Sequence, residues 1–171
     1  MLIRRIQPHE SDALARITVD AYRQINGARP MGPYEDQLRD VEGRRLDSEV
    51  YVALDDDATL IGGVTYVAGP HHAMAEFSDP GACGIRMLAV DPSAQGRGAG
   101  RALVEACITR AREQRRDRII LHSAPIMTLA QSLYQRMGFE PAPELDEFIV
   151  EGSDPRGEPL HLRAFVFTIA P

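Results

Sequence analysis

The stretch from Ile85 to Cys107, IRMLAVDPSAQGRGAGRALVEAC, holds the densest concentration of residues able to do chemistry. An apolar strand over Ile85–Val90 runs into a turn at Asp91-Pro92. A glycine-rich loop over Gln95–Gly100 follows and opens a helix over about Gly98–Arg115. The first amides of a helix have no intrahelical acceptor, and that end carries partial positive charge. Glycines let a bulky anion come close to it, and Arg97 and Arg101 flank the loop with full charges. Such a site suits a phosphate, and best a pyrophosphate.

Spacing removes two common phosphate loops. A dinucleotide fingerprint G-x-G-x-x-G needs its third glycine at position 101, which is Arg101. A nucleoside-triphosphate loop needs a lysine, and all 19 basic residues of the chain are arginine. The pattern that fits is Q-x-x-G-x-G, at Gln95, Gly98 and Gly100, following an L-x-V strand at Leu88 and Val90. Further on, apolar residues at 126, 129, 130, 133, 134 and 137 recur with helical period. Gly138 can stop that helix in a left-handed cap. Taken alone, Leu133-Tyr134 on such a stripe reads as core packing; for the loop, a plain strand-to-helix turn is the alternative to a phosphate site.

Together the loop and the run A-x-x-L-Y-x-x-M-G-F, ending at Phe139, resemble the coenzyme A loop and a downstream segment of the GCN5-related N-acetyltransferases, the GNAT family. The resemblance is close over about residues 50 to 140 and loose at both ends. It implies direct acyl transfer from acetyl-CoA to an amine in a ternary complex. The N–H groups of Gln95, Gly96, Arg97, Gly98, Ala99, Gly100 and Arg101 would hold the pyrophosphate. The peptide-like pantetheine arm would pair with the strand edge at Leu88, Ala89 and Val90. Two residues take catalytic roles by resemblance: the Leu88 amide stabilises the thioester oxygen, and the Tyr134 hydroxyl sits near the coenzyme sulfur and protonates the leaving thiolate.

The chain departs from the family twice. Some members carry a glutamate early on the motif strand; Gly84-Ile85-Arg86-Met87 has no carboxylate. Glu76, Asp79, His71 and His72 in the preceding loop, and His122 on the next strand, are substitutes for a base. For each, ordinary loop polarity or a satisfied core histidine is the plainer reading. The second departure is Met127, which stands where an asparagine is often found; the amide contact is absent, and Met127 packs either on the pantetheine or in the core. Adjacent histidines on an extended segment point opposite ways, and there is no C-x-x-C, so no metal is expected.

With 171 residues, 44% of them hydrophobic, the chain reads as one domain over 1–171 with a core large enough to need no disulfide. Its two cysteines, Cys83 and Cys107, allow at most one bridge. No charged-plus-apolar leader and no apolar run near about 18 residues is present, so a soluble, reduced, cytoplasmic protein without membrane partner is expected. The net charge of −6 disfavours nucleic acid. Basic residues at Arg110, Arg112, Arg115, Arg116 and Arg118 read as a solvated helix end. The lack of lysine, with abundant Ala, Arg, Gly and Pro, looks like coding bias of a GC-rich bacterial genome.

Patterning predicts a strand over Leu2–Ile6, helices over about 9–24 and Tyr34–Arg45, and a strand pair over Val50–Leu54 and Leu60–Ala68. A loop over 69–82, the motif strand 84–90 and the motif helix follow. Then come a buried strand over Arg118–His122, a helix over 126–137, and strands over about 146–151 and 160–169 separated by a turn cluster at 152–157. Gly62-Gly63 marks a bulge or a close backbone contact. The fold class is therefore α/β, an α+β mixed sheet. The resemblance supplies the rest: the GNAT acyl-CoA N-acyltransferase fold, a central, mostly antiparallel mixed sheet flanked by helices and splayed into a V at the motif strand.

The first functional expectation is an N-acetyltransferase acting on a primary amine of a small molecule or peptide, with Glu76 and Asp79 attracting the cationic acceptor. The alternative is a non-catalytic acyl-CoA-binding sensor, which the absent strand glutamate favours and Tyr134 opposes. A nucleotide-binding switch is disfavoured by the absent lysine and third glycine. Homodimers through the C-terminal strands are common in the family and carry over only as an analogy.

Overall fold

The computed structural model describes residues 1–27, 31–149 and 159–170. In chain order the elements are β1 (Leu2–Arg5), α1 (Ser11–Ile25), α2 (Pro33–Arg39), α3 (Val41–Asp47), β2 (Glu49–Leu54), β3 (Leu60–Val67) and β4 (Ala82–Val90). They continue with α4 (Ala99–Glu113), β5 (Arg118–Ser123), α5 (Thr128–Arg136), β6 (Glu140–Pro141), β7 (Glu147–Ile149) and β8 (Leu160–Thr168). The strands form one mixed sheet in the order β1-β2-β3-β4-β5-β8-β6, with β7 paired to β8. All pairs are antiparallel except β4 with β5. Among the described residues no helix is long and apolar enough to cross a membrane.

Helices cover both faces. On one, α4 lays Leu103, Val104, Cys107 and Ile108 over Cys83, Ile85, Ile119 and Leu121 of β4 and β5. On the other, α1 places Leu14 against β2 residues Val50 and Val52, and Val19 packs with Leu38 and Met87. Neither cysteine is bridged and both are buried.

Several expected bounds change for physical reasons. The helix expected over Tyr34–Arg45 is two, because the Asp40 side chain accepts the Gly43 N–H at 2.8 Å and starts a new helix. β4 begins at Ala82 rather than at 84, since it takes β5 as a parallel neighbour over Ala82–Gly84. The expected helix 126–137 spans only Thr128–Arg136. Its apolar stripe is not all core: Ile126 and Leu129 are 54% and 80% exposed. The short β6 was not foreseen. Of the expected strand 146–151, Glu147–Ile149 pairs with β8 and Asp146 precedes it, accepting the Ala164 N–H at 2.8 Å; residues 150 and 151 and the turn cluster 152–157 lie outside the described residues. The basic run is not simply solvated: Arg110 holds Glu49 of β2 at 2.8 Å, and Arg118 holds Asp79 at 2.7 Å.

Candidate active site at the split between β4 and β5

Two parallel strands that pair only briefly make the cleft. β4 and β5 are in register over Ala82–Gly84 and Arg118–Ile120 and then part. On its other side β4 stays paired with β3 out to Val90. Ile85–Val90 therefore presents a strand edge to the split. The β3 ladder passes from Ala89 to Arg86, leaving Met87 and Leu88 opposite Val64 as a bulge. Met87 takes a left-handed φ of +52° there, a costly conformation for a side chain of its kind. It is held by burial against Val19 and Leu38 and by the Arg44 guanidinium at its sulfur, 2.9 Å away. Gly62 and Gly63 sit beside this bulge, and a Cβ at either would strike the Ala89 carbonyl or the Leu14 side chain at 2.6 Å. Both expectations for that pair, bulge and close contact, are met.

Beyond β4, Asp91 caps a short 3-10 turn by accepting the Ser93 N–H at 2.8 Å. Gly96 and Gly98 follow in left-handed conformations, with φ of +79° and +88°. Gly98 is the residue before the first turn of α4. Among the described residues, the amides of Gln95 through Arg101 donate to no acceptor; the first bond of α4 runs from Ala102 N to Gly98 O at 3.0 Å. Gln95 to Gly98 are exposed and Ala99 is buried. A coenzyme diphosphate fits this cradle of unpaired donors and glycines without added Cβ atoms. Gly100 faces both walls of the cleft, because a Cβ there would touch Leu133 of α5 at 3.5 Å and Val90 at 3.7 Å. Arg101 does not turn over the loop; it pairs with Glu105 at 2.7 Å. Arg97 is exposed, and the Gln95 side chain reaches Gln24 at 3.4 Å.

α5 delivers Tyr134. The helix ends in a Schellman cap, with Phe139 N donating to Tyr134 O at 3.0 Å and Gly138 N to Gln135 O at 3.1 Å. Gly138 adopts φ +92°, as the stop signal requires. Tyr134 is 6% exposed, and its ring packs on Phe139 and Phe165. Its hydroxyl has no hydrogen-bond partner among the described residues. Burial holds the phenol well above its ordinary pKa. Tyr22 of α1, itself raised by burial, feels Tyr134 and Tyr34 as well as the opposing charge of Arg86. Tyr134 thus stands between the α4 face and the α1 face. Met127, at the N-cap of α5, is half-buried.

On the α1 face, Glu76 joins the two parted strands. Its carboxylate takes Arg86 of β4 at 2.8 Å and lies 3.3 Å from Nδ1 of His122 on β5. The His122 side chain is only 3% exposed, and Nε2 meets the Leu145 carbonyl at 2.9 Å. Burial opposes a charge on the ring, but Glu76 and the Leu145 carbonyl outweigh it, so the imidazole titrates above its ordinary value. Asp79 bonds the Gly81 N–H at 2.9 Å and Arg118, and these hold its carboxyl below the usual range. A groove of about 640 Å³ runs along this face past Glu76, Ile120, His122 and Glu147.

Of the loop candidates, Glu76 reaches the split; Asp79 anchors the loop lower down. His71 and His72 stay outside it. Their rings approach to 4.8 Å rather than pointing apart, because the segment is a turn and not extended. Sequence reasoning overlooked Arg86, although an arginine on an otherwise apolar strand is a readable signal. It also overlooked the Met87 bulge, Leu145 and Glu147, for which one sequence holds no signal.

The Acetyltransferase (GNAT) family model matches residues 12–139. A mycothiol acetyltransferase of Cellulomonas flavigena is 29% identical over 151 residues, covering 83% of this chain and 42% of that protein. One from Nocardia farcinica is 31% identical over 105 residues, covering 61% and 35%. The chain thus spans less than half the length of these relatives. Among solved structures, a GNAT-family acetyltransferase of Staphylococcus aureus Mu50 superposes with TM-score 0.72 at 17% identity, covering 99% of both chains. The protein yncA of Salmonella typhimurium, solved with its cofactor acetyl-CoA, superposes with TM-score 0.69 at 20% identity, covering 100% of this chain and 97% of that one. These similarities in shape establish the fold, and the family match over most of its length places this chain in the GNAT acetyltransferase family.

Proposed function

We propose that this chain transfers the acetyl group of acetyl-CoA to a primary amine of a small molecule or peptide by direct attack in a ternary complex. The observation that carries this reading is the run of amides from Gln95 to Arg101 without acceptors, at the mouth of a split between parallel strands. There the diphosphate lies at the front of α4, and the pantetheine runs along the free edge of Leu88, Ala89 and Val90 toward Tyr134. The bulge leaves Leu88 without a register partner on β3, and its amide is the one assigned to the thioester oxygen.

The acceptor arrives as an ammonium and gives one proton to the protein. Its nitrogen attacks the thioester carbon, the C–S bond breaks, and a second proton leaves nitrogen as the amide forms. That proton makes up for the one Tyr134 donates to the coenzyme sulfur. A phenol whose pKa is raised by burial and whose hydroxyl is otherwise unpartnered is suited to staying protonated until then. Glu76 faces the acceptor, and Asp79 holds the loop that carries it. The curated relatives, named mycothiol acetyltransferases, favour acetyl transfer over the sensor reading. The missing carboxylate on β4 is what favours the sensor.

Thermal shift with acetyl-CoA, followed by thioester cleavage with a panel of amines, tests the proposal. Stabilisation by acetyl-CoA with cleavage by at least one amine supports it. Tight coenzyme binding with no cleavage across the panel leaves the sensor.

A further inference from the structure

We infer that His122, Glu76 and Glu147 form the seat for the acceptor's ammonium group and that His122 Nδ1 takes its first proton. This rests on the amine-transfer reading above and supplies what β4 lacks, a proton acceptor.

One ligand atom from each of the three side chains lies within 4.8 Å of the other two. Glu76 Oε2 and His122 Nδ1 are 3.3 Å apart, with Glu147 beside them, so a nitrogen over this triangle can sit at a hydrogen-bond length from both. An ammonium has three N–H groups to match the three atoms. One oxygen of Glu76 is already held by Arg86 at 2.8 Å. A zinc ion would compete for the same three atoms.

The histidine is prepared for the role. Its side chain is almost wholly buried, so its ring cannot swing away. Nε2 is committed to the Leu145 carbonyl, an acceptor, so Nε2 carries a hydrogen in either charge state. Nδ1 is then the atom that gains or loses a proton, and it is the atom turned toward Glu76. His122 lies two residues beyond Ile120, the last β5 residue in register with β4, and so within the split. The charged groups around it are Glu76 from the 75–79 loop, Arg86 from β4 and Glu147 from β7. Glu144 and Asp146 stand beside Glu147, and Arg118 with Asp79 lie lower on the groove. The groove gives the proton a route to water after transfer. Arg86 fixes the Glu76 carboxylate at 2.8 Å, which makes it a positioning residue.

The test uses the full chain with coenzyme A bound. The His122 ring nitrogens are followed by long-range 1H–15N NMR while n-butylamine, alanine amide or their trimethylated counterparts are added. In parallel, kcat/KM is measured against pH for wild type, His122→Gln, Glu76→Gln and Glu147→Gln. Supporting results are a His122 Nδ1 signal that moves with the primary amines and not with trimethylated ones, a response weakened by Glu147→Gln, and a rising limb of kcat/KM that vanishes in His122→Gln with a loss of roughly 100-fold. If His122→Gln does not fold, Glu147→Gln, at a half-buried position, gives the decisive readout. A ring that ignores amines but responds to zinc chloride overturns the inference in favour of a metal site. Amine turnover with an unchanged pH limb in the variants also overturns it and leaves the acetyltransferase reading standing. A ring that responds to amines without any turnover supports the seat and sinks that reading instead.

Discussion

Gly84 lies directly beneath the ring of Phe77: a Cβ at Gly84 would meet Cε1 of Phe77 at 2.7 Å. Gly84 is also the last β4 residue in register with β5. The point where the strands part is therefore covered by a ring from the loop that carries Glu76. Gly84→Ala is expected to push that ring and its neighbour outward, at about 1–3 kcal/mol of stability. The acceptor KM should rise several-fold while acetyl-CoA affinity stays unchanged, measured by steady-state kinetics and calorimetry.

The cradle proposed for the diphosphate depends on left-handed backbone at Gly98. A β-branched residue is strained at φ +88° although no atom lies within 4 Å of its Cβ. Gly98→Val should turn the first amides of α4 aside and weaken acetyl-CoA binding roughly tenfold or more, the worth of one or two hydrogen bonds to a charged group. Titration calorimetry gives the affinity, and circular dichroism checks that the fold persists.

Tyr134 separates chemistry from packing. Its hydroxyl has no partner among the described residues, while its ring packs on Phe139 and Phe165. Tyr134→Phe should leave Tm and coenzyme affinity unchanged and lower kcat by about 10²-fold or more. Full turnover in this variant would reduce Tyr134 to a packed ring.

His122 links pH to stability. Its folded pKa lies above the ordinary 6.5, so the protonated ring stabilises the fold below that pH. The contribution is lost as pH rises through the folded value. Wild type should therefore lose Tm relative to His122→Gln over that interval, and the gap between them should be constant at lower pH. The same ring acts as a base only above its folded pKa, so the rising limb of kcat/KM belongs in the same interval. Scans of Tm and rate across pH 5 to 9 (a range of about ±2 around neutrality) check both.

Arg44 is a buried cation, 3% exposed, that caps α2 through the Gln37 and Leu38 carbonyls at 2.8 and 3.0 Å. Among the described residues its Nε has no hydrogen-bond partner. Arg44→Ala strips the caps and loosens the shelf under Met87. A loss of about 2–4 kcal/mol is expected, or a Tm lower by roughly 5–15 °C for a domain of this size.

The order of most strands and helices was legible in the chain because apolar period, turn residues and caps are local. So was the glycine-rich loop before α4, since Gly96, Gly98 and Gly100 constrain backbone close together in sequence. The helix at 34–45 and the stripe at 126–129 misled for a related reason. A side chain such as Asp40 competes with its own backbone, and an apolar residue such as Leu129 has no sign that says whether anything covers it.

The sequence by itself determined a glycine-lined helix start, a tyrosine on the helix that follows, and the family pattern that joins them. Only the tertiary structure decided which polar groups share a place. Glu76, Arg86, His122 and Glu147 come from a loop and three strands, up to 71 positions apart, and meet because β4 and β5 separate after Gly84 and Ile120. Contacts of that kind depend on register and on where a sheet splits, and these are set by the packing of the whole core, which no local run of residues encodes.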